Sequence, residues 1–186
     1  MANQKFVQGA KIVTGPNVLF SYLYAFEPNP TSDRSNYGAS LIFDKVKCKK
    51  DIATIEAAIE DLKNNKEAQA LWGGKLPKKL SVSFRDGDEE KDDEIYQNAM
   101  FVGANSSKKL IVIDRKRMQI TDPDEVYSGI IGCASINLYA YNHPTGGPGI
   151  AIGLSAIQKV KDGERLGGGG VDLEKFAEFE DEEDAY

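Results

Sequence analysis

Basic and aromatic side chains recur together along this sequence, and together they could bind a polyanion that carries flat rings. Single-stranded nucleic acid requires cations that follow its phosphates and aromatic faces on which its bases stack, at about 1 to 3 kcal/mol per base. On strands with alternating faces about half of the rings belong to the core, and the sequence leaves open which half. The candidates are Tyr22, Tyr24, Phe26, Tyr37, Lys108, Lys109, Arg115, Lys116, Arg117, Tyr139, Tyr141, Lys159 and Lys161.

Signals for enzymatic chemistry are weak by comparison. The single histidine, His143, precedes Pro144 in a turn, and the two cysteines, Cys48 and Cys133, do not form a C-x-x-C pair. No G-x-S-x-G motif, P-loop or dinucleotide fingerprint occurs, so acyl transfer, nucleotide hydrolysis and hydride transfer have no support. We therefore predict no catalytic residue, no metal site and no cofactor.

One acidic cluster leaves an alternative open. Seven carboxylates lie between Asp86 and Glu94, and acidic loops can hold Mg²⁺ for a metal-dependent nuclease or its accessory. The D-G-D-E-E spacing does not match an EF-hand loop, in which glycine takes position six and glutamate position twelve. A solvated loop is the favoured interpretation.

The acidity of the chain is concentrated in its last fifteen residues. The whole sequence has 23 basic and 29 acidic residues, whereas residues 172 to 186 hold eight acidic residues and one lysine, a net charge of −7. Such a segment repels itself, so we predict a disordered tail after a flexible Gly-rich linker at 167–171. Because it combines negative charge with rings, we expect the tail to compete with single-stranded DNA and, once displaced, to recruit partners. Its candidate residues are Phe176, Phe179, Glu182, Glu183, Asp184 and Tyr186.

The elements that must position these residues are mostly strands. Period-two patterns predict strands at 17–26, 37–43, 80–84, 99–106, 108–114, 130–142 and 149–160, the last two joined as a hairpin by a Gly- and Pro-rich turn. Helical spacing predicts one amphipathic helix that begins with Asp51 as its N-cap and ends before Gly73. A one-turn helix capped by Asp122 or Asp124 is expected near residue 123. Several short strands with one helix favour a mainly β fold, a small closed or partly closed barrel over residues 1–166.

The order of several segments resembles a known family, the OB-fold single-stranded DNA-binding proteins of tailed bacteriophages, formerly a domain of unknown function. The resemblance runs over nearly the whole chain and rests on the segments YLYAFEP, YGASLIFDK, LWGGKLP, FRDGDEEKDDEIY, FVGANSSKKLIVIDR, DPDEVYSGIIGCASINLYAYN and GIAIGLSAIQKVKDGERLGG in this order. The resemblance implies a five-stranded OB barrel with added elements, binding of single-stranded DNA without sequence specificity, no enzymatic activity, and replication or recombination partners bound through the tail. Related proteins often end in phenylalanine where this chain has Tyr186.

Location and assembly are expectations of the same kind. No apolar run approaches the roughly 20 residues of a membrane helix, and the first eleven residues lack the apolar stretch of a secretory signal. We therefore expect no membrane partner and a cytoplasmic location in the infected bacterial host, with a homodimer as a possible assembly. A phage structural or assembly protein with an acidic tail is a third interpretation, and it predicts no salt-sensitive DNA binding.

Overall fold

Residues 6–166 are described by the structure, a computed structural model. This part of the chain contains nine strands, three α-helices and two 3-10 helices, Glu94–Tyr96 and Pro123–Glu125. The strands are β1 (Phe6–Val13), β2 (Val18–Tyr24), β3 (Tyr37–Asp44), β4 (Ser81–Val82), β5 (Arg85–Asp86), β6 (Ala99–Ser106), β7 (Ile111–Ile113), β8 (Ile131–His143) and β9 (Gly147–Lys161); the helices are α1 (Lys49–Lys63), α2 (Lys66–Leu71) and α3 (Gly87–Glu90).

Five of the strands close into a barrel. β2 pairs with β3, β3 with β6, β6 with β9, β9 with β8, and β8 returns to β2. All of these pairs are antiparallel except β6 with β9, which meet in parallel at Asn105 and Gly153. β1 pairs with the same edge of β8 as β2 does, so β1 and β2 act as one long strand interrupted at residues 14–17. A small five-stranded barrel of this kind is the OB fold, and the predicted mainly β barrel is confirmed.

One continuous apolar cluster fills the barrel. Inward side chains of the barrel strands, among them Phe20, Leu41 and Leu138, are fully buried. Helix α1 adds Ile55, Ala58, Ile59 and Leu62 to the same cluster, as its amphipathic spacing predicts. Fully burying each large apolar side chain contributes roughly 1.5 to 3 kcal/mol, so this cluster is the main source of stability.

The helical region differs from the prediction in detail. The Asp51 N-cap prediction is wrong, because α1 begins at Lys49 after Cys48, which makes no side-chain cap. The Asp51 carboxylate instead accepts a hydrogen bond from the Gly15 N–H at 2.9 Å and ties α1 to the break between β1 and β2. A second helix, α2, follows because the Asn65 side chain accepts from the N–H of Ala68 and starts a new cap. The predicted one-turn helix is present with Asp122 as its cap.

The acidic stretch Asp86 to Glu94, predicted as a solvated loop, belongs to a segment, residues 86–96, that forms a short cover on the outside of the barrel. It contains α3 and one of the 3-10 helices, and most of its carboxylates are exposed. Tyr96 is buried against outward side chains Ile42 and Phe101, in a cluster separate from the barrel core. Within residues 6–166 no helix has the length and apolarity to cross a membrane. The linker and tail predicted at 167–186 lie outside the described residues.

Candidate nucleic-acid interface

A row of small and polar residues crosses the outer face of the barrel from strand to strand. Tyr24 pairs with Gly38, Gly38 with Asn105, Asn105 with Gly153, and Gly153 with Asn137. At the end of the row the Asn137 amide lies 3.3 Å from the side-chain oxygen of Gln8 on β1. Six strands at spacings of about 4.8 Å give the row an arc of about 24 Å. Between Gly38 and Asn137 the row itself contains no large side chain, so a single nucleic-acid chain has space to cross these strands.

Glycines leave space above the backbone of this row, which forms the floor of a cleft. Gly38 has a φ of 153°, and a Cβ placed on it would overlap the Ala104 carbonyl oxygen, so a side chain is excluded there. Gly103 differs, because a Cβ there would have no neighbour within 4 Å and would project into open space. The cleft above these residues has a volume of about 270 Å³, and its walls include Tyr22, Tyr24 and Ser40. The floor thus has room for a ligand where most strands would carry a side chain.

Tyr22 and Tyr24 form the first aromatic rim of the cleft. The pairing of β2 with β3 shifts between Ser21 and Tyr24, and Tyr22 takes a φ of 47°, which is uncommon for a residue with a side chain. The irregularity turns Tyr22 outward and leaves 63% of its surface exposed. Strand irregularities often re-aim side chains next to functional sites. Both tyrosines line the same cleft, so the structure brings these two predicted residues together.

The other predicted residues at this end play mixed roles. Phe26 and Tyr37 are half-buried against the barrel core, and so offer less ring surface than the exposed Tyr22. Lys109 Nζ lies 5.4 Å from the Phe26 ring centroid, and Lys108 and Lys109 are both exposed just after β6. The N–H of Leu110 donates to the Ala25 carbonyl at 3.0 Å, which holds this lysine pair beside the end of β2.

A second aromatic rim lies on β8, at the opposite end of the row. The Phe6 and Tyr139 ring centroids are 6.1 Å apart, and the Tyr139 and Tyr141 centroids are 6.3 Å apart. Burial raises the pKa of the Tyr139 hydroxyl, as does the neighbouring Tyr141, whereas the positive charge of Arg34 acts in the opposite direction. Arg34 comes from the long β2–β3 loop, so that loop places a cation near this rim.

The remaining predicted cations lie elsewhere. Arg115, Lys116, Lys159 and Lys161 line a separate cleft at the far end of β9, and Arg117 is in the adjoining turn. Six residues separate Lys159 from Gly153 along β9, about 20 Å of strand. Lys159 Nζ is already engaged, at 2.7 Å from an Asp162 carboxylate oxygen and 2.8 Å from the Glu125 carbonyl. The structure therefore does not bring this group to the row.

The charge of the face is a signal that a search for lysines and tyrosines misses. β1 and the five barrel strands carry one carboxylate among them, Asp44 at the last residue of β3. Between Glu125 and Asp162, a stretch that includes the whole β8–β9 hairpin, the sequence has no acidic residue. Phe6 and Arg34 were also missed, because β1 and the long β2–β3 loop join the face only through the fold, and Asn137 on β8 was missed because it is neither a cation nor a ring. A face without carboxylates does not repel phosphates.

Three of the seven carboxylates in the acidic segment form ion pairs with Lys45 and Arg85. Lys45 Nζ lies 2.8 Å from carboxylate oxygens of both Asp86 and Asp88, and Arg85 lies 2.8 Å from Glu90. Hydrogen bonds to Asp86 and Asp88 raise the pKa of Lys45, and the bond from Lys45 lowers the pKa of Asp88. Across residues 6–166 no three Asp, Glu, His or Cys side chains are grouped so that they could hold a metal ion.

The fold and this face define a class of protein. In OB folds the outer face of the second and third barrel strands, with the first-to-second and fourth-to-fifth loops, binds oligonucleotides and oligosaccharides. Here those strands are β3 and β6, and the loops are residues 25–36 and 144–146. Residues 10–186 match the family model described as "Enterobacter phage Enc34, ssDNA-binding protein". The chain belongs to this family, and the resemblance to phage single-stranded DNA-binding proteins is confirmed.

The chain is also similar to one curated relative and to several solved structures. The chain is 27% identical over 167 residues to putative protein p50 of Acyrthosiphon pisum secondary endosymbiont phage 1, covering 86% of this chain and 89% of that protein. The single-stranded DNA-binding protein from bacteriophage Enc34 in complex with ssDNA superposes with a TM-score of 0.65 at 21% identity, over 89% of this chain and 91% of that one. The bacteriophage T7 single-stranded DNA binding protein gp2.5 gives a TM-score of 0.55 at 16% identity, over 97% and 98% of the two chains. These structures share the fold.

Proposed function

We propose that this protein binds single-stranded DNA across the outer face of its barrel without sequence specificity. The observation that carries the proposal is the row from Tyr24 to Asn137, with a low floor, aromatic rims at both ends and a single carboxylate on its strands. Bases stack on the rings whatever their identity, at about 1 to 3 kcal/mol each. Lys108, Lys109 and Arg34 supply cations at the two rims.

Membership of a phage single-stranded DNA-binding family supports a proposal for the biological role. We propose that the protein coats and protects single-stranded DNA during phage replication and recombination in the host cytoplasm. Its segment 172–186, with a net charge of −7 and three rings, is proposed to compete with DNA for the same face and to recruit replication partners when displaced. The Asp86–Glu94 segment is given no nuclease role, because Lys45 and Arg85 already engage three of its carboxylates.

Fluorescence anisotropy with labelled oligonucleotides tests the proposal. In EDTA and low salt we expect the full chain to bind single strands and to bind duplex much more weakly, with an affinity that falls steeply as salt rises. Tyr22→Ala and Tyr139→Ala should each weaken binding by about 5- to 150-fold, the equivalent of one stacked base. Met118→Ala, a change at a residue that is equally exposed but remote from the row, should leave affinity unchanged.

The same assay separates the alternatives. A protein ending at residue 171 should bind more tightly than the full chain at low salt; equal affinity would overturn competition by the tail but not binding by the barrel. Cleavage of the oligonucleotide when Mg²⁺ replaces EDTA would favour the nuclease interpretation. Salt-insensitive or undetectable binding would favour a structural role. Light scattering on the free protein tests the predicted homodimer.

A further inference from the structure

We propose that the segment 73–79, with Lys75, Lys78 and Lys79, is a second phosphate-binding site that continues the DNA path beyond Tyr141. This inference rests on the proposed function, because it assigns the segment to the same strand of DNA. None of these lysines belongs to the basic groups that the sequence pattern singled out. They come from the connection between α2 and β4, which the fold brings to the second aromatic rim.

The segment is held at both ends against the tip of the β8–β9 hairpin. On one side the buried Trp72 donates its indole N–H to the Tyr141 carbonyl at 2.9 Å, and the Asn142 amide donates to the Leu71 carbonyl at 3.1 Å. On the other side β4 pairs with β9, with Ser81 beside Gly149. Tyr141 and Gly149 are themselves partners across the hairpin. Both anchors therefore converge on one pair of residues at the rim.

The ring of Tyr141 lies at the point where a bound DNA strand would leave the row. A Cβ placed on Gly149 would overlap this ring, so the tyrosine lies flat over the glycine backbone and not in the core. Two further glycines, Gly73 and Gly74, begin the lysine segment with φ values of 98° and 103°, and nothing lies within 4 Å of either Cβ position. The backbone thus turns away from Trp72 into open space beside the Tyr141 rim.

Within residues 6–166 the charge of the segment has no carboxylate partner. From residue 68 to residue 85 the sequence has no carboxylate, and the neighbouring hairpin has none either. All three lysines are exposed, and the ion pairs found within residues 6–166 include none of them. In contrast, Lys45, Lys63 and Lys159 each have a carboxylate partner. Three ammonium groups without a carboxylate partner in residues 6–166 thus lie beside the aromatic rim, where they can bind the phosphates of a DNA strand that has just crossed the rings.

The ligand chemistry of the segment is restricted to phosphate. Its apolar side chains are Leu76 and Pro77, and the ring that precedes it in the chain, Trp72, is buried and donates its N–H to the Tyr141 carbonyl. The rings of the second aromatic rim therefore provide the stacking, and the lysines contribute positive charge without contacting base edges. Each phosphate neutralised on a single strand adds about 0.7 to the slope of log affinity against log salt, so three contacts add about 2.

The test compares the triple variant Lys75→Ala/Lys78→Ala/Lys79→Ala with the wild-type full chain on single-stranded oligothymidine. We expect the salt slope to fall by about 2, which is about a 100-fold loss of affinity at 0.1 M salt that shrinks toward none at 1 M. The loss should be large with oligomers of about 16 nucleotides and small with about 4, the limits for one OB fold. Circular dichroism and urea unfolding check that the variant is folded.

A matched control keeps the change in charge constant. Lys47→Ala/Lys49→Ala/Lys50→Ala removes three exposed cations at the start of α1. This end of α1 lies near Cys133, because the pKa of the Cys133 thiol is raised by burial and also by the negative charge of Asp51. Cys133 lies eight residues from Tyr141 along β8, about 26 Å away, so this variant should lose little affinity. The triple Lys→Arg variant of the segment keeps its charge and should bind like wild type.

The outcomes distinguish the inference from the function on which it rests. If wild type does not bind single strands, the proposed function fails. If wild type binds and Tyr139→Ala weakens binding, but the segment variant keeps the full salt slope, only the second site is overturned. If the segment variant binds DNA more tightly in the full chain but not in the protein ending at residue 171, the lysines hold the acidic tail and the assignment to DNA is wrong.

Discussion

Filling the floor of the cleft at Gly103 should abolish much of the DNA affinity while leaving the fold intact. Gly103 is exposed on β6, pairs with Ser40, and lines the cleft between the rim tyrosines and Asn105. Its φ is not in the left-handed region, and a Cβ there would meet nothing within 4 Å. A Gly103→Val side chain therefore has room in the protein, and the space that it takes is part of the 270 Å³ cleft.

The magnitude follows from what that space would hold. Displacing one stacked base from the first rim costs about 1 to 3 kcal/mol, or about 5- to 150-fold in affinity. The effect on folding has the opposite sign, because glycine in a strand interior is worse than a side-chain residue by roughly 0.5 to 1 kcal/mol. Gly103→Val should therefore unfold at the same or a higher urea concentration than wild type.

Anisotropy titrations and urea unfolding measure the two quantities on the same samples. Ala10→Val adds a similar volume on β1 beside α1 and should change neither affinity nor salt slope. Gly38→Ala should behave differently from both, because its φ of 153° and the nearby Ala104 carbonyl oppose any side chain, so it should lower stability. Wild-type affinity in a folded Gly103→Val protein would mean that the strand does not cross β6 at the cleft, and the proposed path would be wrong.

Two further predictions concern stability. The Lys45 ammonium and the Asn98 N–H hold the pKa of Asp88 below 3.8, so the stability that this carboxylate contributes is full above that value and is lost as pH falls through the folded pKa. Urea midpoints for Asp88→Asn should thus lie below those of wild type at neutral pH and converge with them as the pH falls through the folded pKa of Asp88; a constant gap would contradict this. Tyr127→Phe removes the hydroxyl that donates to Asp162 at 2.9 Å and accepts from the Gly163 N–H at 3.3 Å; it should cost about 1 kcal/mol in urea unfolding, and no loss would mean that the residues after β9 are held by other contacts.

β-Strands in which apolar and polar residues alternate clearly could be predicted from the sequence, and those with a weak alternation could not. β8 alternates buried and half-buried residues over most of its length, and the 130–142 prediction matches it closely. β1 was missed because Gly9 and Ala10 break its alternation and its pairing shifts between Gln8 and Lys11. Its Gly9 is a glycine because the Leu62 side chain from α1 occupies the space of a Cβ. Such a contact between distant segments leaves no local pattern.

The residue types of the candidate site could be predicted from the sequence, but the particular residues that form it could not. Rings and cations were the right residue types. However, Tyr139 pairs with Ala151 and Lys159 pairs with Gly132, so the two side chains lie at different positions along the hairpin, and only the register of β8 against β9 shows this. Conversely, Lys75 is far from Tyr141 in sequence and reaches its rim because Trp72 bonds to the Tyr141 carbonyl. The near absence of carboxylates from the barrel strands, with Asp44 as the exception, could be read from the sequence, because it needs only the strand boundaries.

The polar residues of the row explain how a face can hold bases without choosing among them. Asn105 and Asn137 project from neighbouring positions on β6 and β8, on either side of Gly153. An asparagine amide offers both donors and acceptors, so it can match any base edge by rotating, whereas an arginine only donates and a carboxylate only accepts. An Asn105→Arg protein should therefore gain affinity from its charge and begin to prefer guanine, whose O6 and N7 are both acceptors. Equal gains on oligothymidine and on guanine-containing strands of the same length would mean that base edges do not face this row, and that stacking and charge alone hold the strand.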